Sequence, residues 1–388
     1  MPTTQPFSFP TGQPSSLPSY ESSTLIILVD NATEFTVSSS RVDQYCVPNH
    51  WLRNMEYSGH CNIYAAFMFC LHRVPWRINP KIKDCRIHLP AKIRITFRNL
   101  GLIIDTSLSQ WRNSPPLRIT FSGETGSYIY TTRTKRNTVQ SKFLRIGGMT
   151  RNDSTVIMPY VGAVDVFKVP LSLGFENITF VNIGQQFSDI GGCIEVANVA
   201  SVSFRMVSMI NYWALEGGAV YLYNIGQVMI ENSYFKSNSA VNGGGIFLAS
   251  VGDVTIKGTT FVDNFADNIG GALVIESARS VAIQFYNRFL GNTAPEYGGA
   301  LSMNNIATST IIRASSFISN LAKVGSAIVM SNCRGSEVSS NIFDGNDANV
   351  GTVYWLASSG MAAPIERGPS NQFTVSNRCK LYGCSFAT

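Results

Sequence analysis

Apolar residues recur two apart in short runs through the second half of the chain. Each repeat has one such run, as in Ile246-Phe247-Leu248 and Leu273-Val274-Ile275, and then a second a few residues on, Val228/Ile230, Val254/Ile256 and Val281/Ile283 in successive repeats. Gly and Asn fall at the breaks and no ten-residue stretch has helical periodicity, so these runs predict short strands with one face buried. Before each first run stands a tetrad of two glycines, a small residue and an aliphatic one, beginning at Gly191, Gly217, Gly243, Gly270 and Gly298, with worn copies at Gly325 and Gly351. Their spacings are 26, 26, 27, 28, 27 and 26 residues. A second signal, Phe-x-x-Asn-x-Ala, holds the same period from Phe235, Phe261, Phe289, Phe317 and Phe343, with asparagines Asn238, Asn264, Asn292, Asn320 and Asn346. Upstream, a sixth copy keeps Asn211, with Ser208 at the Phe place and Trp213 at the Ala place.

Two signals locked to one period mean one supersecondary unit stacked on itself. Two or three strands per repeat without a helix predict an all-β chain, a parallel β-helix in which each residue stacks on its counterpart one turn away, about 4.8 Å along the axis. The Asn row is then a ladder of side-chain amides holding a tight bend, and the Phe row a stack in the core. The paired glycines allow a corner that a Cβ would obstruct.

The paired tetrad and Phe-x-x-Asn signals resemble the repeat of the chlamydial polymorphic outer-membrane proteins and their relatives in large eukaryotic surface proteins. The resemblance covers residues 180 to 356. It implies a right-handed parallel β-helix (a pectin-lyase-like solenoid), surface display and adhesion, and it supplies no catalytic residue. Further upstream, Cys61 to Phe67, Cys70 and the run Cys85 to Ile95 resemble the CSLREA-type cap module of right-handed β-helices. That likeness implies a short Cys-led capping helix and a first coil made by the hairpin-like Ile87-x-Leu89-Pro90 and Ile93-x-Ile95 runs. Asn-Ile-Tyr-Ala stands where that module has Ser-Leu-Arg-Glu, and Ala-Lys replaces its usual turn.

The resulting division is a Pro/Ser-rich linker over 1–20, an N-terminal strand and cap over 21–97, irregular coils over 98–179, regular repeats over 180–356 and a closing segment over 357–388. The tail from Leu381 to Thr388 resembles the end of the coil in eukaryotic relatives.

Composition narrows the function. Of 388 residues, 45% are hydrophobic and 14% charged, too few charges for a disordered or nucleic-acid-coating chain. Net charge is +6, with 19 Lys/Arg against 11 Asp/Glu up to residue 179 and 11 against 13 after it. The front is basic, which suits an acidic polysaccharide or simply a solvated surface. Eight cysteines and the sequons at Asn31, Asn152 and Asn177 suit an extracellular or cell-surface chain. No signal peptide is visible at the start, so the expectation is a true N-terminus upstream of Met1 or a longer parent. The longest apolar run, Ile63 to Leu71, is too short to span a bilayer. Cys193 and Cys333, five coils and so about 25 Å apart, cannot pair with each other. Bridges are expected among Cys46, Cys61, Cys70 and Cys85, and between Cys379 and Cys384.

Chemistry is sparse. All four histidines, His50, His60, His72 and His88, precede the repeats, and no metal-ligand spacing appears, so no metal and no cofactor is expected. The coil acids are scattered. Asp263 and Asp267 are the nearest approach to a carboxylate pair, and Asp263 falls at a turn position. The residue between each inward pair gives an outward row, Glu195, Tyr221, Phe247, Val274, Ser302, Val329 and Trp355. Tyr221, Phe247 and Trp355 are the candidate binding residues, stacking on sugar rings or meeting a partner, unless the N-terminal segment or a loop covers them. The leading expectation is a structural or adhesion module binding polysaccharide or a protein partner, without enzymatic activity. The alternatives are a polysaccharide lyase, hydrolase or epimerase with a groove outside the coil, tested at Asp263 or Glu216, and a subunit of an extracellular filament.

Overall fold

A computed structural model describes residues 24–28, 66–67, 70, 84–89, 94–97, 102–104, 116–123, 127–131, 144–146, 169–183, 187–356 and 371–373. They form a parallel β-solenoid. Its three sheets have 16, ten and seven strands, and every strand pairs in parallel with its counterpart one turn on. One turn shows the plan. After Gly217 and Gly218 the chain runs through Val220–Tyr223 and Gln227–Glu231 in the broad sheet, Tyr234–Lys236 in the ten-stranded sheet and Ser239–Asn242 in the seven-stranded sheet, reaching Gly243. In the middle of the stack the two broad-sheet stretches fuse into single strands, Ile246–Lys257, Leu273–Gln284 and Leu301–Arg313.

Alternation puts every second side chain inside. The row Ile194, Val220, Ile246, Leu273, Leu301, Ile328 and Val353 is fully buried, and the phenylalanines stack with ring centroids 5.1, 4.9, 4.7 and 5.2 Å apart from Phe235 to Phe343. Each buried ring contributes roughly 1.5–3 kcal/mol. Four corners per turn have left-handed backbone. At the corner closing each turn the residue is always Gly, from Gly191 to Gly351. The other three corners take Asn, Ser, Gly, Asp and a few larger residues.

Register corrects the sequence reading in two places. Met209, not Ser208, pairs with Phe235, and Ala214, not Trp213, pairs with Ala240. The sixth copy is therefore displaced by one residue. Tyr212 is buried at the ladder position, and Asn211 is an exposed left-handed corner at φ 64°. At the other end the last tetrad is one residue short, so Val353 pairs with Ile328, Tyr354 with Val329 and Trp355 with Met330. Trp355 packs against the core, and Tyr354 takes the outward place, because one residue of slip exchanges the two faces of a strand.

The irregular front is coil too. Asp84–Leu89 pairs with Leu117–Gly123, which pairs with Val169–Glu176. Asp84 meets Arg118, 34 residues on, and Leu117 meets Leu171, 54 residues on, so insertions hide the period there. Asp84–Leu89 and Arg94–Phe97 lie in different sheets, making successive sides of a turn rather than a hairpin. Thr24–Leu28 pairs in parallel with Asp84–Leu89. Of the expected capping helix only Ala66, Phe67 and Cys70 are described, all helical and buried. Phe67 stacks at 5.4 Å on Phe121, the first of a column through Phe175 and Phe204. Cys70 and Cys85 are disulfide-bonded, with Cα atoms 5.9 Å apart. Cys46, Cys61, Cys379, Cys384, the 1–20 linker, the sequons at Asn31 and Asn152, and most of 357–388 lie outside the described residues. No described helix is long and apolar enough to cross a membrane.

Candidate functional site

The polar interior comes first, because it consumes the side chains that chemistry would need. Asn238, Asn264, Asn292, Asn320 and Asn346 lie in one buried column. Each Nδ2 donates to the next Oδ1, at 3.0, 3.0, 3.0 and 2.9 Å, and that Oδ1 also accepts the backbone N–H of the preceding asparagine. The second Nδ2 proton goes to a backbone carbonyl of the preceding turn, as from Asn264 to Phe235 at 3.0 Å. An amide suits this corner because it donates and accepts at once.

A second ladder runs through Ser233, Thr259, Asn287, Ser315 and Asn341 to Asn371. All but Ser315 accept a backbone N–H of the preceding turn on the side-chain oxygen, among them Asn287 from Thr259 and Asn341 from Ser315, both at 3.0 Å, while the Ser315 hydroxyl accepts from the Asn287 amide at 3.4 Å. These residues stand two before each motif Phe, a phase visible in the sequence but masked by three residue types doing one job. The sequon residue Asn177 is also committed, its Nδ2 donating to the Gly123 carbonyl at 2.9 Å.

The row read as an outward stripe is not open surface. Phe247 is fully buried and Val274 nearly so, in a second apolar cluster with Ala249 against which Tyr221, Tyr223 and Ile269 pack. The Tyr221 and Phe247 rings stack at 5.6 Å. Exposed large apolar groups occur on the seven-stranded sheet, where Trp213, Phe265 and Leu321 share one outward row with Ser239 and Thr293 between them and Asp347 after them.

The acids stay dispersed. Asp263 is an exposed left-handed corner, while Glu216 ends a strand at the opposite edge of the seven-stranded sheet. Among the described residues no three His, Cys, Asp or Glu side chains come together to hold a metal. Asp253 is held below the usual carboxylate range by hydrogen bonds from Arg279 and Ser280. Burial alone raises the Glu276 carboxyl, and burial raises Cys333 to about 11.

One charged group forms on the outer broad sheet of the early turns. Glu176 accepts ion pairs from Arg205 at 3.0 Å and Arg86 at 3.5 Å. Beside them Asp84 pairs in register with Arg118, and burial lifts its carboxyl above the ordinary value against the pull of Arg118 and Arg86. Asp84 Oδ1 and Arg86 Nε are buried without a hydrogen-bond partner. Gly174 lets the neighbouring side chains close over the backbone there, since an added Cβ would meet the Thr120 hydroxyl at 3.1 Å and the Ser203 hydroxyl at 3.4 Å.

The other outward feature is a bulge. The corner between the broad and ten-stranded sheets carries Asn177, Met206, Asn232, Gly258, Ala314 and Ser340 in other turns, one left-handed residue each. In the longest repeat two residues share that place, Phe285 at φ 63° and Tyr286 at φ 65°. Left-handed backbone costs a bulky L-residue about 1–2 kcal/mol. Neighbouring turns hold the strain, as Gly258 N–H donates to the Phe285 carbonyl at 2.8 Å and Tyr286 N–H to Ala314 at 2.7 Å. Phe285 is 48% exposed and Tyr286 81%. Lys257 Nζ and Arg313 Cζ lie 5.9 and 5.7 Å from the Phe285 ring centre. The 28-residue spacing from Gly270 to Gly298 was the sequence's sign of this insertion.

No protein family, characterised protein or solved structure matches the chain.

Proposed function

We propose that this chain is a non-enzymatic structural or adhesion module of the extracellular space or cell surface, a right-handed β-helix of the polymorphic outer-membrane repeat type with a Cys-led cap at its N-terminal end. The observation that carries the reading is how the polar side chains are used. Inside, they are joined in ladders that build the coil, and outside, the coil acids stand apart on different faces. Such a body is a rigid rod that presents surface. Right-handedness follows the general preference for parallel crossovers. The cap reading is supported by Phe67 stacking on the end of the Phe121 column and by the Cys70–Cys85 link, since an open coil end would expose core and strand edges.

The test is to incubate the purified chain with acidic and neutral polysaccharides, scoring retention and released products together. Retention without products is expected, and sustained turnover by a clean preparation would overturn the reading. Asp84 favours a second reading, a polysaccharide-active enzyme. A half-buried carboxyl raised above its ordinary value, beside Arg118 and with one oxygen buried without a hydrogen-bond partner, has the properties of a general acid. Products that vanish in Asp84→Asn while the fold persists would establish that alternative.

A further inference from the structure

We infer that the Phe285–Tyr286 bulge is a binding site for an anionic polysaccharide, with Tyr286 as the stacking platform and Lys257, Arg313 and Arg288 as the charge-pairing groups. The inference rests on the non-enzymatic display reading and names the ligand class for one place on the rod.

Three observations converge. First, the strain is local and unnecessary for the coil, because other turns cross this corner with one residue, most of them small or polar. Two left-handed aromatics held by cross-turn hydrogen bonds and turned to solvent mark a position whose conformation serves something outside the core. Second, the ridge is lowered on both sides, by Gly258 one turn before and Ala314 one turn after, so Tyr286 stands clear with room for a ring to lie against it. Third, the surroundings are cationic. Lys257 and Arg313 flank the Phe285 ring from neighbouring turns, about 10 Å apart along the axis. Exposed Arg288 follows two residues after Tyr286. Lys257 has only a 3.9 Å contact with Glu231, and Arg313 uses Nε on Gln284 at 2.9 Å.

The chemistry selects the ligand. An aromatic face takes the apolar face of a pyranose, and cations spaced at two turns match carboxylates or sulfates repeating along a linear chain at the length of a disaccharide. A globular acidic protein is disfavoured, because a stable protein interface needs an apolar centre of standard size, whereas Gly258, Thr260, Ala314 and Ser316 surround the bulge.

Fluorescent oligogalacturonate, heparin, neutral dextran and polyglutamate are titrated by anisotropy into the full chain and into Tyr286→Ser, Tyr286→Phe and Lys257→Ala/Arg313→Ala. Thermal melting is run alongside. The expected result is binding of oligogalacturonate or heparin but not dextran. Tyr286→Ser should weaken it about tenfold, Tyr286→Phe should keep it, and the double variant should weaken it and flatten its salt dependence. Melting of the Tyr286 variants stays at or above that of the parent, since the side chain is solvent-exposed.

Binding unchanged in Tyr286→Ser, or no binding of either anionic glycan, would overturn the site and leave the display reading standing. Polyglutamate bound as tightly with the same dependence on Tyr286 would overturn it in favour of an acidic protein. Released sugar products, with retention still dependent on Tyr286, would instead remove the non-enzymatic reading and keep the site.

Discussion

Replacing Asn292 by Ala tests the coil where its parts are most tightly coupled. Asn292 Oδ1 accepts the backbone N–H of Asn264 at 3.1 Å and its Nδ2 at 3.0 Å. Its own Nδ2 donates to Asn320 Oδ1 at 3.0 Å and to the Phe261 carbonyl at 3.1 Å. Truncation to Ala therefore leaves two buried donors on Asn264 without this acceptor and takes one donor each from Asn320 and Phe261. An orphaned buried group costs about 1–3 kcal/mol, and the two donors set the scale, so the loss should be about 2–6 kcal/mol. The residue is wholly buried, so water cannot readily replace the amide. The assay is urea unfolding of the full chain with Asn268→Ala as control, because Asn268 makes a similar amide bond to Asn242 at 3.1 Å on the exposed surface. That control should change stability by less than about 0.5 kcal/mol. If Asn292→Ala were as mild as Asn268→Ala, the ladder would be ornament to a coil held by apolar packing alone, and the reasoning would fail.

Other consequences follow from the same geometry. A Cβ at Gly244 would strike the Gly271 and Phe265 carbonyl groups, so Gly244→Ala should lower stability by several kcal/mol (about 2–4) in the same urea assay. Burial raises the folded-state pKa of Glu276. Its contribution is thus fully present below the ordinary glutamate value of about 4.3 and is lost as pH rises through the raised value. Glu276→Gln should remove that part of the pH dependence of the melting temperature, and an unchanged profile would refute the assignment. Reducing the Cys70–Cys85 bridge, which closes a 15-residue separation, should destabilise the front of the coil by about 3 kcal/mol, read as lost hydrogen-exchange protection in the strand Asp84–Leu89.

Much of the coil was legible because some positions admit one residue type. Only Gly fits where φ is positive and the next turn's carbonyl lies against Cα, and only an amide offers two donors beside an acceptor oxygen, as the Asn column uses them. Such places repeat letter by letter, so the 26- to 28-residue period and its strands stand out. Where several residues do one job the signal fades. Ser233, Thr259 and Asn287 all offer an oxygen to the turn before, and three residue types in one row leave no repeated letter to see. Phase is also obscured where the motif is worn. Asn211 looked like a ladder member and Trp355 like an outward group, yet one residue of slip made the first a solvent corner and the second a core side chain.

The sequence by itself determined the fold type, the stacking of equivalent residues and the identity of the Phe and Asn columns from 235 to 346, because close packing and hydrogen bonding restrict those positions whatever lies around them. Only the tertiary structure decided which outward groups meet solvent. Phe247 and Tyr286 are both aromatic residues off the core rows. Yet Phe247 is sealed in a second cluster, and Tyr286 stands free between Gly258 and Ala314. Exposure depends on what the neighbouring turns bring alongside, a non-local property that no run of residues contains.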